Sequence, residues 1–121
     1  MAVGTGSPRT EPLELLERAK ARLDRLRLYP APVRIERVRV IVFPSLFRLP
    51  WFRRFDGYAA WETILLREPP AEGHEDLVCH ELCHVWQMQH HPLAMPVSYL
   101  RTGYGRNPYE AEARGAVEAT R

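Results

Sequence analysis

Prolines divide this chain of 121 residues into short segments and limit where regular structure can begin and end. Proline has no backbone N–H and disrupts the interior of a helix or a central strand, but it suits the first turn of a helix. Pro12 therefore predicts the start of a helix, and Pro30 and Pro32 predict its end. Pro108, preceded by the N-capping residue Asn107, predicts the start of a last helix.

The segments between these breaks predict an α+β fold. Residues 11–28 carry leucine and alanine at helical spacing, whereas residues 33–43 alternate apolar and charged residues as a strand does. Residues 57–67 predict a further strand or hairpin arm, and residues 72–90 return to helical spacing. With the last helix over residues 107–119, the order is helix, strands, helix and helix, which is typical of an α+β domain with a short antiparallel or mixed sheet.

Composition and the remaining segments indicate one small globular domain. We expect residues 1–10 to form a flexible tail and residues 11–121 to form a single domain, with an irregular segment at 43–55 and one short helical turn within 92–107. With 45% hydrophobic and 26% charged residues, the composition is that of a globular protein.

Charge and targeting signals narrow the classes of partner and compartment. A net charge of +2, with arginines spread along the chain, argues against a nucleic-acid partner. No run approaches the roughly 20 apolar residues of a membrane span, and the N-terminus lacks a secretory pattern. Two cysteines are too few for a disulfide framework. We therefore predict a reduced, cytoplasmic protein with no membrane partner.

The sequence CHELCH contains the motif His80-Glu81-x-x-His84 inside the second predicted helix. Residues four apart on an α-helix are displaced by about 40° around the axis and about 6 Å along it, so both imidazoles point the same way. Their nitrogens can lie about 2.1 Å from one zinc ion. Glu81, about 100° away from His80, can take a proton from a water and pass it to a leaving amine. The alternative is an amphipathic helix that happens to contain two histidines.

A catalytic zinc site needs a third protein ligand, and a later histidine is one candidate. His90 lies ten residues after His80, as in a longer histidine motif, but Gln87 occupies the position where that motif has glycine. The helix should continue through Gln87 and carry His90 away from the metal. We expect His90 and His91 to form an exposed helix end instead.

Two glutamates of the last helix are the other candidates. Glu110 falls at the third position after the Asn107 cap and at the edge of the helix's apolar stripe, so we predict it as the third ligand. The same position also suits a capping or dipole role. Glu112 is a weaker candidate whose alternative is a solvated surface charge.

The stretch HELCHVWQ followed by NPYEAEA resembles the minigluzincins, very small zinc metallopeptidases of the gluzincin type, over residues 77–113. The resemblance implies a zincin-like domain with Glu81 as general base. It also implies zinc ligands at His80, His84 and Glu110.

Two further expectations come from this resemblance. An edge strand should line the cleft and pair with extended substrate, and we place it at Thr63–Leu66. Many gluzincins also carry Asp or Asn four residues after the glutamate ligand to orient a histidine. In this chain that position is Arg114, so the residue that would hydrogen-bond to a ligating histidine differs from the gluzincin pattern.

We therefore predict a zinc metallopeptidase that hydrolyses peptide or protein substrates through a zinc-bound water and the Glu81 base. Three tyrosines are candidates to donate to the developing oxyanion: Tyr99, Tyr104 and Tyr109. One alternative is a zinc-stabilised module that binds a peptide or partner with little or no hydrolysis. Another is a nucleic-acid-associated protease of the SprT type, which the motif also resembles.

The two cysteines flanking the motif are interpreted as small buried apolar residues. Cys79 and Cys83 each lie about 100° from the adjacent histidine, so one metal could not use all four side chains. An inhibitory role for a Cys83 thiolate is the less favoured interpretation.

Overall fold

The computed structural model describes the backbone of residues 10–121 and the side chains of that range except those of Thr10, Glu11 and Glu72. The predicted tail, residues 1–10, therefore lies outside the described residues apart from Thr10. Within residues 10–121 the chain forms four α-helices and three strands. They are α1 (Thr10–Leu23), β1 (Arg39–Val42), β2 (Gly57–Ala60), β3 (Thr63–Leu66), α2 (Glu75–His90), α3 (Ala94–Thr102) and α4 (Pro108–Thr120). The predicted α+β class is confirmed.

Helix α2 lies at the centre of the core, where it packs against α1, α4 and the sheet. It is a helix because no proline or glycine interrupts residues 75–90, and its acidic residues Glu75 and Asp76 occupy the first turn, where they favour the helix dipole. Most of its residues are buried, since it is covered on several sides. The core comprises Leu16, Ala19, Leu23, Ile64, Leu66, Val78, Leu82, Val85, Trp86, Ala113 and Val117.

The sheet is mixed and has the strand order β1-β3-β2. Strand β3 pairs parallel with β1 and antiparallel with β2, and its residues Ile64 and Leu66 face the core. The placement of an edge strand at Thr63–Leu66 is therefore wrong, because β3 is paired on both sides. The strand beside α2 with a partner on one side only is β2.

Buried Arg22 joins three helices. Its guanidinium donates to Asp76 Oδ1 on α2 at 2.8 Å, and on α4 to Thr120 Oγ1 at 3.1 Å and the Val117 carbonyl at 3.0 Å. This cation is buried but fully partnered, as a charge in a protein interior has to be. It holds the end of α1 against the start of α2 and the end of α4.

The first helix is shorter than the predicted 11–28 and ends at Leu23. Beyond Asp24 the backbone tightens into turns in which the Arg25 and Leu26 N–H groups donate to the carbonyls three residues back. That turn brings Leu26 and Tyr29 against the core, so tertiary packing ends the helix before Pro30 is reached.

The first strand is also shorter than the predicted residues 33–43, because only Arg39–Val42 pairs with a neighbour. Val33 is fully buried, but the chain turns where the Val38 N–H donates to the Ile35 carbonyl. The apolar residues Val33 and Ile35 therefore contact the core from an irregular segment, not from a strand.

Other segments agree more closely with prediction. The long helix and the Asn107-capped last helix are confirmed, although Glu72–His74 is a 3₁₀ turn before α2. Residues 57–67, predicted as one strand or hairpin arm, hold both arms of a hairpin, β2 and β3. Residues 92–107 hold nine helical residues, α3, rather than one short turn. No helix among the described residues combines the length and apolar character needed to cross a membrane.

The β2–β3 hairpin turns at Trp61, whose φ of 52° lies in the left-handed region that favours glycine. Its backbone N–H donates to Met88 Sδ at 3.2 Å, and its indole N–H donates to the Pro92 carbonyl at 3.2 Å. The two bonds attach the hairpin tip to the end of α2 and the segment that follows.

Candidate metal centre and cleft

His80, His84 and Glu110 meet at one point between α2 and α4. His80 Nε2 lies 2.9 Å from Glu110 Oε2, and His84 Nε2 lies 2.8 Å from Glu110 Oε1. One ligand atom from each of the three side chains lies within 4.8 Å of the others. Among the described side chains, this is the only group of three or more histidines, cysteines or carboxylates arranged so closely.

Helix geometry and a buried cap place these three side chains. The histidines share a face of α2 because they are four residues apart. Asn107 Oδ1 accepts hydrogen bonds from the backbone N–H groups of Tyr109 and Glu110, which fixes the first turn of α4. The Asn107 amide also donates to Ser98 and Thr102 of α3, so the cap is held from both sides.

Burial and charge set the protonation of the centre. Burial acts to raise the pKa of the Glu110 carboxyl, but hydrogen bonds to His80 and His84 outweigh it and hold that pKa well below its usual value. For His84, burial acts to lower the pKa, and the hydrogen bond to Glu110 raises it above the ordinary value. The arrangement therefore favours an ionised carboxylate facing positive charge.

Glu81 lies beside the centre and faces an open cleft. Its side chain is 5% exposed, and burial raises the pKa of its carboxyl, while the adjacent histidines oppose that shift. A Cβ on Gly57 of β2 would lie 3.3 Å from Glu81 Cγ and 3.2 Å from Leu77 Cδ1. The absence of a side chain at Gly57 thus lets β2 approach the Glu81 carboxyl closely.

Two cavities meet at Glu81 and Gly57. The apolar cavity, about 410 Å³, extends from His84 between β2, α3 and the 51–55 segment, and its walls include Trp51, Tyr58, Trp61, Met88, Met95 and Leu100. A second cavity, about 490 Å³, has many charged side chains in its lining and extends on the other side past His80, Glu110 and Arg114. The two together form a cleft that crosses the centre beside β2.

Two of the three candidate tyrosines face this centre. The Tyr104 hydroxyl donates to Glu110 Oε2 at 3.1 Å, and the Tyr99 hydroxyl donates to Oε1 at 3.5 Å. Burial raises the pKa of both phenols, so both keep their protons at neutral pH. Tyr109 lies instead beside His91, with its backbone carbonyl accepting from Gln87.

The remaining candidates lie outside the group of three. Helix α2 continues through Gln87, as predicted, and His90 stacks on Tyr29 with ring centroids 5.0 Å apart. Cys79 and Cys83 are free and fully buried, and burial raises the pKa of both thiols. Neither thiol belongs to the group.

Two residues have contacts that the motif analysis missed. Gln87 is fully buried, and its Oε1 lies 2.8 Å from His84 Nδ1. Glu112, the weaker candidate for the third ligand, lies outside the group of three; it accepts from the Gln87 amide at 3.1 Å and from the Tyr29 hydroxyl at 2.5 Å. Arg114, four residues after Glu110, lies 3.7 Å from Glu110 Oε2. Helical spacing three residues after His84 was the available signal for Gln87.

The donor set fits zinc. Two neutral imidazoles and one carboxylate are a set that catalytic zinc sites use, and the nearby cleft gives access to a further ligand or substrate. Both carboxylate oxygens of Glu110 are directed at imidazole nitrogens, so a cation held between them would be stabilised by the buried negative charge of Glu110. Comparison of the chain with protein-family models, curated protein sequences and solved structures finds no match.

Proposed function

We propose that this chain is a zinc-dependent metallopeptidase in which His80, His84 and Glu110 hold the metal. The observation that carries the proposal is the convergence of both Nε2 atoms on one buried carboxylate, with Glu81 facing the cleft beside them. A structural zinc site is normally closed by four protein ligands, whereas three ligands next to an open cleft are typical of a catalytic site.

The residues around the centre have distinct roles in the proposed reaction. Zinc, when bound, polarises a carbonyl and lowers the pKa of a water. The Glu81 carboxylate takes the proton of the attacking water and delivers it to the leaving amine. Tyr99 and Tyr104, whose hydroxyls donate to Glu110 in this structure, keep their phenolic protons and in the proposed reaction would donate to the oxygen on which negative charge develops.

The cleft supports an extended peptide as substrate. Strand β2 is paired on one side only, and all four of its residues line the apolar cavity. An extended chain can add to such an edge through backbone hydrogen bonds while alternate side chains enter pockets. The walls at Trp61, Met88 and Met95 favour a large apolar side chain next to the cleaved bond.

Glu81→Gln tests the reaction separately from metal binding. The change removes the base but no ligand, so zinc content should stay near one per chain while hydrolysis of a peptide library falls at least about 100-fold. Glu17→Gln, an exposed change on α1, is the matched control and should leave both unchanged.

The wild-type result distinguishes the alternatives. Hydrolysis that survives in Glu81→Gln would show that another group or a contaminant is responsible. Zinc binding by wild type without cleavage of any peptide would favour a zinc-stabilised binding module.

A further inference from the structure

The amide of Gln87 has its orientation fixed by its surroundings. Its Nε2 lies 2.8 Å from the Tyr109 carbonyl and 3.1 Å from Glu112 Oε1. A carbonyl and a carboxylate only accept hydrogen bonds, so the NH₂ end of the amide must face α4. Its Oε1 then faces His84 Nδ1 at 2.8 Å.

This orientation determines which nitrogen of His84 carries hydrogen in the neutral ring. An amide oxygen only accepts, so Nδ1 must be the donor and Nε2 carries the lone pair. Nε2 is the atom directed at Glu110 Oε1, 2.8 Å away. In the metal-free centre Nε2 also carries a hydrogen, which it donates to the Glu110 carboxylate. When a metal takes the place of that hydrogen, Nδ1 keeps its own, because the Gln87 oxygen facing it can only accept.

We propose that Gln87 is a positioning residue that sets the tautomer and ring orientation of His84 for metal binding. The inference rests on the proposed zinc centre. Glu112 acts with it, because its carboxylate accepts from both the Gln87 amide and the Tyr29 hydroxyl. The chain of contacts thus runs from Tyr29 through Glu112 and Gln87 to His84, and it takes the place of the family's support at position 114.

Zinc affinity of two glutamine variants tests this role. Gln87→Met keeps the length and apolar volume of the side chain but removes both hydrogen-bonding ends. We expect competition against a chromophoric chelator to show zinc affinity 10- to 100-fold weaker than wild type, the usual effect of losing such support. Gln89→Met is the matched control. Gln89 lies on the same helix but bonds to the Arg34 backbone, so its loss should leave zinc affinity unchanged.

A measurement on wild type keeps the test independent of whether Gln87→Met folds. In the zinc-loaded protein, the His84 Nδ1 proton should give an imidazole N–H resonance protected from solvent exchange, since it donates to a fully buried amide. A rapidly exchanging proton there, or unchanged zinc affinity in Gln87→Met, overturns the role of Gln87 while leaving the zinc centre intact. Failure of wild type to bind zinc removes the proposed function and this inference together.

Discussion

Replacing Glu110 with Gln separates the structural role of this side chain from its role as a ligand. The side chain is 2% exposed, and its two oxygens face His80 and His84. An amide of the same size keeps one acceptor oxygen and gains a donor that can face an imidazole lone pair. The change therefore removes the negative charge without creating a cavity.

The expected loss of stability in metal-free protein is small. The hydrogen bonds from His80, His84 and Tyr104 lose their charge assistance, a loss of about 1 kcal/mol each, so unfolding should become easier by about 3 kcal/mol at most. Relief from burying an ion pair reduces this figure further. Metal-free Glu110→Gln should therefore remain folded.

The expected loss of zinc-dependent stability is larger. At free zinc about 1,000 times the dissociation constant, wild type gains about 4 kcal/mol, or roughly 16 °C in Tm at about 4 °C per kcal/mol. If the lost carboxylate weakens binding about 1,000-fold, the gain at the same zinc concentration falls to about 0.4 kcal/mol, or roughly 2 °C. The contrast between these two shifts is the prediction.

Thermal unfolding with and without buffered zinc measures both quantities in one experiment. Glu118→Gln is the control, because Glu118 lies on the same helix with its side chain 68% exposed and paired with Arg121. The control should keep the full zinc shift. A full shift in Glu110→Gln would refute the assignment of the third ligand, and collapse of the metal-free variant would show that Glu110 is mainly structural.

Two other predictions concern packing and pH. Gly57→Ala should lower the free energy of unfolding by about 1 kcal/mol, because the added methyl group overpacks against Leu77 and Glu81. It should also slow hydrolysis by displacing Glu81, while zinc affinity stays unchanged. An unaltered kcat would contradict the close approach of β2 to Glu81. The hydrogen bond from Arg22 lowers the pKa of Asp76, so wild type should exceed Asp76→Asn in stability above about pH 4 and lose that advantage as pH falls. Because the Asp76 side chain is 43% exposed, the difference in unfolding free energy between the two proteins should stay below about 1 kcal/mol. Denaturant unfolding at pH 7 and pH 3 measures it. A difference independent of pH would count against a stabilising Arg22–Asp76 ion pair.

Local chemistry explains which parts of the fold could be predicted. The start of α4 follows from Asn107 and Pro108, whose capping and φ preferences act within one turn. The strand predicted at 33–43 failed over most of its length because alternation shows which residues are buried, not whether a partner strand lies alongside. The end of α1 at Leu23 depends on packing that no local pattern contains.

In the candidate centre too, features set by local sequence could be predicted and features set by tertiary contacts could not. His80 and His84 converge because their spacing lies within one helix, and Glu110 could be placed by its position after the cap. The orientation of the Gln87 amide could not be predicted, since it depends on a carbonyl and a carboxylate from α4. The choice of cleft strand failed for a related reason, because strand order is not readable from three short segments.

The strained turn at Trp61 has a mechanical consequence. A non-glycine residue in the left-handed region costs about 1–3 kcal/mol, so glycine there would relax the backbone. The hydrogen bonds from the Trp61 indole to Pro92 and from the Trp61 backbone to Met88 nevertheless attach the hairpin to the end of α2 and the residues that follow it. Outward movement of the hairpin tip requires both bonds to break, so Trp61, which forms part of the wall of the apolar cavity, also limits how far the cavity can open at that end.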